Sequence, residues 1–121
     1  MINDHVVIPD WRYYATVERV VDGDTIYVTA DQGFGNSVYL KLRLDGINTA
    51  EIRGSEKEEG FKDMAFVENL IKVGDTVIIQ SFTDGGFGRW AATVWYKNPE
   101  AWDTWTNLNW YLVDQGIAEE V

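Results

Sequence analysis

The stretch Val38-Tyr39-Leu40-Lys41-Leu42-Arg43-Leu44 decides the fold class. Val38, Leu40, Leu42 and Leu44 fall on one face, and Tyr39, Lys41 and Arg43 fall on the other. A period of two belongs to a strand with one buried side, because successive side chains on a pleated backbone point in opposite directions. Upstream, Ala15–Val21 and Thr25–Thr29 are rich in β-branched residues and flank Asp22-Gly23-Asp24, a hairpin signal. Asp31–Asn36 is a second turn, so three strands are expected in succession. Gly46–Gly54 then reads as loop. Ser55 and Glu58 have capping-box spacing, Met64, Val67, Leu70 and Ile71 form a helical apolar stripe, and Gly74 is the expected stop. Gly60 enters this reading only as a residue that weakens the first turn.

Farther along, Thr76–Ser81 is a fourth strand, Asp84–Gly88 a glycine-rich turn and Arg89–Tyr96 a fifth strand. Lys97–Thr106 reads as a loop with Trp102 and Trp105 as packing anchors. A short helix through Leu108, Tyr111 and Leu112 follows and is stopped by Gly116. The fold class expected is mostly β (α+β). It is a five-stranded barrel of the oligonucleotide/oligosaccharide-binding type, with one helix between strands 3 and 4 and a short C-terminal helix.

The 121 residues suit a single domain, with its core at about 15–118. Six Trp, six Tyr and five Phe argue against disorder. The absence of Cys excludes disulfides, thiolate metal sites and a cysteine nucleophile, and His5 as the one His excludes a histidine metal cluster. Met1–Asp10 lacks a basic patch and apolar run, and no stretch approaches the ~20 apolar residues of a membrane span. A cytoplasmic protein without a membrane partner is expected, with a monomer the simplest state. The net charge of −10 argues against any partner held by a general basic surface.

Three polar clusters sit at turns or strand ends. Asp22-Gly23-Asp24-Thr25 is a plain hairpin turn or a carboxylate site. Arg43 through Glu51 joins a cation to the oxygen-bearing Asn48, Thr49 and Glu51; the bland alternative is a surface arginine beside a polar loop. Asp84–Arg89 places an arginine after a flexible turn, where it would ordinarily be solvated. Taken together they offer more. Oxygen from Asp24, Asn48 and the Thr49 backbone suits a hard cation such as Ca²⁺. Glu51 is a candidate general base, and Arg43 and Arg89 are candidates to clamp a phosphoryl group. Phosphoryl transfer uses these parts.

Val21-Asp22-Gly23-Asp24-Thr25, Arg43-Leu44 with Gly46-Ile47-Asn48-Thr49-Ala50-Glu51, Gly88-Arg89, and Leu112-Val113 with Gln115-Gly116-Ile117-Ala118 resemble, in order, the motifs of the staphylococcal nuclease-like (thermonuclease) family. The resemblance runs from about Ala15 to Ala118. It implies a five-stranded barrel and a Ca²⁺-dependent phosphodiesterase acting on DNA and RNA. Position by position, it makes Asp24, Asn48 and Thr49 metal ligands, Thr49 through its carbonyl. It makes Arg43 and Arg89 phosphate-binding arginines and Glu51 the usual general base.

The departures bear on activity. Asn48 stands where the family has an aspartate, so weaker Ca²⁺ binding is expected. Ala50 stands where the family usually has proline, which is expected to loosen the loop that aims Glu51. Asp45 is placed to restore charge near the metal or to compete for Arg43. Two functions follow. One is a metal-dependent endonuclease cutting single-stranded or flexible DNA or RNA; the other is a catalytically weak or inactive module binding protein or a small phosphorylated ligand. Trp102, Trp105 and Trp110 are expected to pack the C-terminal helix on the barrel, with base stacking as the alternative.

Overall fold

A computed structural model describes residues 11–52, 54–86 and 88–121, so His5 and the rest of Met1–Asp10 lie outside the described residues, as does Phe87; of the segment Asp84–Gly88, read from the sequence as a turn, Asp84–Gly86 pair with the next strand instead. The strands are β1 Arg12–Asp22, β2 Thr25–Gly33, β3 Asn36–Leu44, β4 Ile47–Asn48, β5 Thr76–Gly86, β6 Arg89–Asn98, β7 Thr104–Asn107 and β8 Glu119–Glu120. The helices are α1, Lys57–Leu70, and α2, Leu108–Asp114. β3, β2, β1, β5 and β6 pair antiparallel in that order, and parallel pairing of Leu42–Leu44 with Trp90–Ala92 closes them into a five-stranded barrel. The expected architecture is present, with α1 between the third and fourth barrel strands once the two-residue β4 is set aside. No helix among the described residues is long and apolar enough to cross a membrane.

The alternation read from β3 holds where the barrel is tightest. Leu42 and Leu44 are fully buried beside Ile26 and Val28 of β2, Val17 of β1, Val77 and Ile79 of β5, and Val94 of β6. Each side chain of this kind stabilises the fold by roughly 1.5–3 kcal/mol. α1 closes one side through Val67, and α2 contributes Leu108 and Leu112. Asn109, buried on α2, fastens that helix to the barrel. Its Nδ2 donates to the carbonyls of Asp45 and Ala92, and its Oδ1 accepts from Val94 N–H.

Four local expectations are corrected. Ser55 and Glu58 form no capping box: Ser55 lies in a 3₁₀ turn, Gly54–Glu56, and the cap residue Glu56 makes no side-chain cap bond. Its carboxylate reaches back to accept from Glu51 N–H instead, at 2.9 Å. The helix ends at Leu70 rather than near Gly74, because Ile71 turns extended and drops into the core. Gly74, at φ +94°, serves the turn into β5 and donates to Val17 O. Lys97–Thr106 is not a loop but a hairpin, with Asn98 opposite Thr104 and Lys97 opposite Trp105. The chain reverses through left-handed Trp102 and Asp103, which throws the Trp102 indole into solvent at 94% exposure. Trp102 is therefore no anchor. Trp110 is also more than half exposed, whereas Trp105 lies against Tyr14, 6.3 Å between ring centroids, with Lys97 Nζ over its face.

Candidate functional site

A cleft of about 1030 Å³ opens at one end of the barrel. The β1–β2 turn supplies Asp24, the end of β3 supplies Arg43, β4 supplies Asn48, the segment after it supplies Thr49 and Glu51, and the start of β6 supplies Arg89. All six residues singled out from the sequence line it. They converge because β3 lies between β2 and β6: Thr25 pairs with Arg43, and Arg43 pairs with Ala91.

Asp24 is the hub. Its Oδ1 accepts from the Thr25 hydroxyl at 3.1 Å, and its Oδ2 accepts from Thr49 N–H at 3.1 Å. Arg43 Nη2 stands 3.4 Å from Asp24 Oδ2 and donates to Asn48 Oδ1, while Nη1 donates to the Leu44 carbonyl at 2.6 Å. Both partners of the ion pair are largely buried, 19% and 12% exposed, so the pair is better shielded from solvent than a surface one. Asp45 neither lines the cleft nor meets Arg43; its backbone is spent on Ala92 and Asn109.

The segment carrying Glu51 is not loose, contrary to the expectation drawn from Ala50. Three successive backbone N–H groups are each held by a different carboxylate: Thr49 by Asp24, Ala50 by Asp63 at 3.1 Å, and Glu51 by Glu56 at 2.9 Å. Proline lacks the N–H that Ala50 gives to Asp63. Gly60 adds the packing, since a Cβ there would lie 2.1 Å from the Glu51 carbonyl oxygen. The loop thus rests directly on α1.

Sequence reasoning missed Asp63, Glu56, Glu59 and Glu119, all of which line the cleft. Asp63 carries no local signal: it is a charged residue inside a helix, and only the fold buries it to 6% exposure. Burial pushes its carboxyl up, against the opposing pull of the Ala50 N–H. Asp22, singled out only as part of the turn, is raised from 3.8 to about 6, first by burial and then by hydrogen bonding and charge from Asp24.

The sign of the Asp22 effect is opposite to ordinary acid unfolding. Folded Asp22 keeps a proton that the unfolded chain releases, so its contribution falls as pH rises from 3.8 to about 6. Asp22→Asn keeps an acceptor for Asp24 N–H, which now bonds Asp22 Oδ1 at 3.0 Å. The variant is expected to melt higher than the parent at neutral pH and to flatten the stability profile across that window. Thermal melts over a pH series check this, and an unchanged profile would remove Asp22 as its source.

The donor set for a cation is all oxygen, from Asp24, Asn48 and Thr49, which is hard-cation chemistry. The Thr49 Oγ1 is buried and has no hydrogen-bond partner among the described residues. Yet the described residues include no group of three or more His, Cys, Asp or Glu placed to hold a metal ion. Arg43 also engages the side-chain oxygens of both Asp24 and Asn48. These oxygens include one carboxylate, and the Arg43 guanidinium already engages both side-chain oxygens that a hard cation would use.

No family model matches the chain. An uncharacterized protein of Methanocaldococcus jannaschii is similar to it, 28% identical over 129 aligned positions that take in 88% of this chain and 58% of that protein. The chain therefore spans somewhat over half the length of this relative.

Proposed function

We propose that the protein is a metal-dependent phosphodiesterase of the staphylococcal nuclease-like type, hydrolysing single-stranded or flexible DNA or RNA. The observation that carries this reading is the convergence of Asp24, Arg43, Asn48, Thr49, Glu51 and Arg89 on one cleft from separate parts of the chain. Glu51, exposed and held by its own N–H, is free at its carboxylate to take a proton from an attacking water. Arg43 and Arg89 bind the phosphate and meet the charge that grows on its oxygens. Asp24, Asn48 and Thr49 would hold Ca²⁺, whose positive charge lowers the cost of bringing a phosphate to an acidic cleft.

The test is cleavage of labelled single-stranded DNA and RNA with Ca²⁺, against a chelator control. Glu51→Gln and Arg89→Ala are each expected to reduce the rate by about 10²–10³-fold. Cleavage indifferent to both substitutions would defeat the reading.

A second reading, a non-catalytic module binding protein or a small phosphorylated ligand, draws on the cleft's charge. Asp22, Asp24, Glu51, Glu56, Glu59, Asp63 and Glu119 line it against Arg43 and Arg89. That reading gains if no divalent ion supports turnover and Ca²⁺ leaves the melting temperature unmoved.

A further inference from the structure

The outer face of β2 and β3 carries an aromatic and cationic stripe that ends at the cleft. Across the two strands Thr25 pairs with Arg43, Tyr27 with Lys41, and Thr29 with Tyr39, so these residues share the outer face; Thr25 is buried at its cleft end and Tyr39 is exposed. The Tyr27 and Tyr39 rings stack, 5.2 Å between centroids and 12° between planes. Lys41 Nζ lies 5.7 Å from the Tyr27 centroid, and Arg19 of β1 stands opposite Tyr27 on the other side. Tyr39 remains 60% exposed in spite of its stack. A ring pair serving only to hold two strands together would gain more by burying that surface. Two acids border the stripe: Glu18, which accepts from the Thr29 hydroxyl at 2.6 Å, and exposed Asp31, two residues beyond Thr29 on β2, which accepts from Gly33 N–H at 2.8 Å. On a chain with twice as many acids as bases, Arg19 and Lys41 flank the Tyr27 ring, and Arg43 follows two residues beyond Lys41 at the cleft.

We propose that this stripe is a subsite for single-stranded nucleic acid, with a base stacked on Tyr39 and the backbone passing Lys41 toward Arg43. The proposal rests on the nuclease reading for its direction, since Arg43 belongs to that cleft. Lys41 and Arg43 are two strand residues apart, about 6.7 Å, a step suited to successive phosphates of an unstacked strand. Aromatic faces accept any base, and cations beside them track the backbone. Duplex DNA, whose bases are already stacked, gains nothing from Tyr39.

The test is fluorescence anisotropy of labelled hexathymidylate at low salt with chelator present, which separates binding from cleavage. Tyr39→Ala and Tyr39→Leu are both expected to weaken binding about tenfold or more, while Tyr39→Trp retains it. Binding of a thymidine dinucleotide, too short to span the cleft and Tyr39, is expected to stay the same. Lys41→Gln is expected to flatten the salt dependence of hexamer binding by about 0.7 in the log–log slope. Melting curves establish that each variant is folded. Hexamer affinity unchanged in folded Tyr39→Ala, or no hexamer binding by the parent, overturns the subsite. Tyr39-dependent binding without cleavage keeps the subsite and removes the nuclease reading. Cleavage with KM unmoved by Tyr39→Ala does the reverse.

Discussion

Gly60→Ala is expected to destabilise the protein by about 3 kcal/mol, lowering its melting temperature by roughly 10 °C, and to displace the Glu51 segment. The sign is the informative part. In an exposed helix, replacing glycine by alanine stabilises by about 1 kcal/mol, because glycine loses more backbone freedom on folding. Here the added methyl would lie 2.1 Å from Glu51 O, 2.3 Å from Glu51 C and 2.6 Å from Ile52 N. These are backbone atoms, which cannot rotate aside as a side-chain end can. Either α1 moves off the barrel, or the segment at 49–51 lifts and breaks its bonds to Asp24, Asp63 and Glu56. The second route leaves Asp63 without the N–H it now accepts while still largely buried. Thermal unfolding of parent and variant decides the matter: a melting temperature that rises would show that α1 and the loop are not in contact.

Arg43→Ala is expected to move two measurements in opposite directions. If Arg43 binds the scissile phosphate, turnover falls by about 10²–10³-fold. Removing its guanidinium also takes the cation away from Asn48 Oδ1 and from Asp24 Oδ2, which keeps the Thr49 N–H as its donor. Ca²⁺ affinity should then increase several-fold, because a competing positive charge leaves the donor set while the oxygens stay. Isothermal titration with Ca²⁺, alongside the cleavage assay, reads both effects. Lower Ca²⁺ affinity in the variant would mean that Arg43 holds the ligands in place rather than competing for them. A melting curve serves as control, since loss of this part-buried ion pair leaves Asp24 with two neutral donors.

The net charge of −10 is unevenly distributed. Seven acids line the cleft beside Arg43 and Arg89, whereas Arg19 and Lys41 stand on the adjoining face. On the proposed function, association with nucleic acid is expected to be weak and salt-sensitive.

Sequence alone determined the barrel, because its strands are written in local terms. The β3 alternation, the β-branched runs around Asp22-Gly23-Asp24 and the turn at Asp31–Asn36 each follow from pleat geometry and turn chemistry within a few residues. It also pointed to six of the residues that line the cleft, through the order of the motifs. What it misjudged were features whose cause lies elsewhere in the chain. Gly60 reads locally as a flaw in a helix, but the Glu51 carbonyl lies against it. Ala50 reads locally as lost rigidity, but Asp63, thirteen residues away, holds its N–H. Trp102 reads locally as an anchor, but a left-handed reversal turns it outward. Only the tertiary structure decided these points, since contact and burial depend on which distant segments share a space, and no local pattern encodes that.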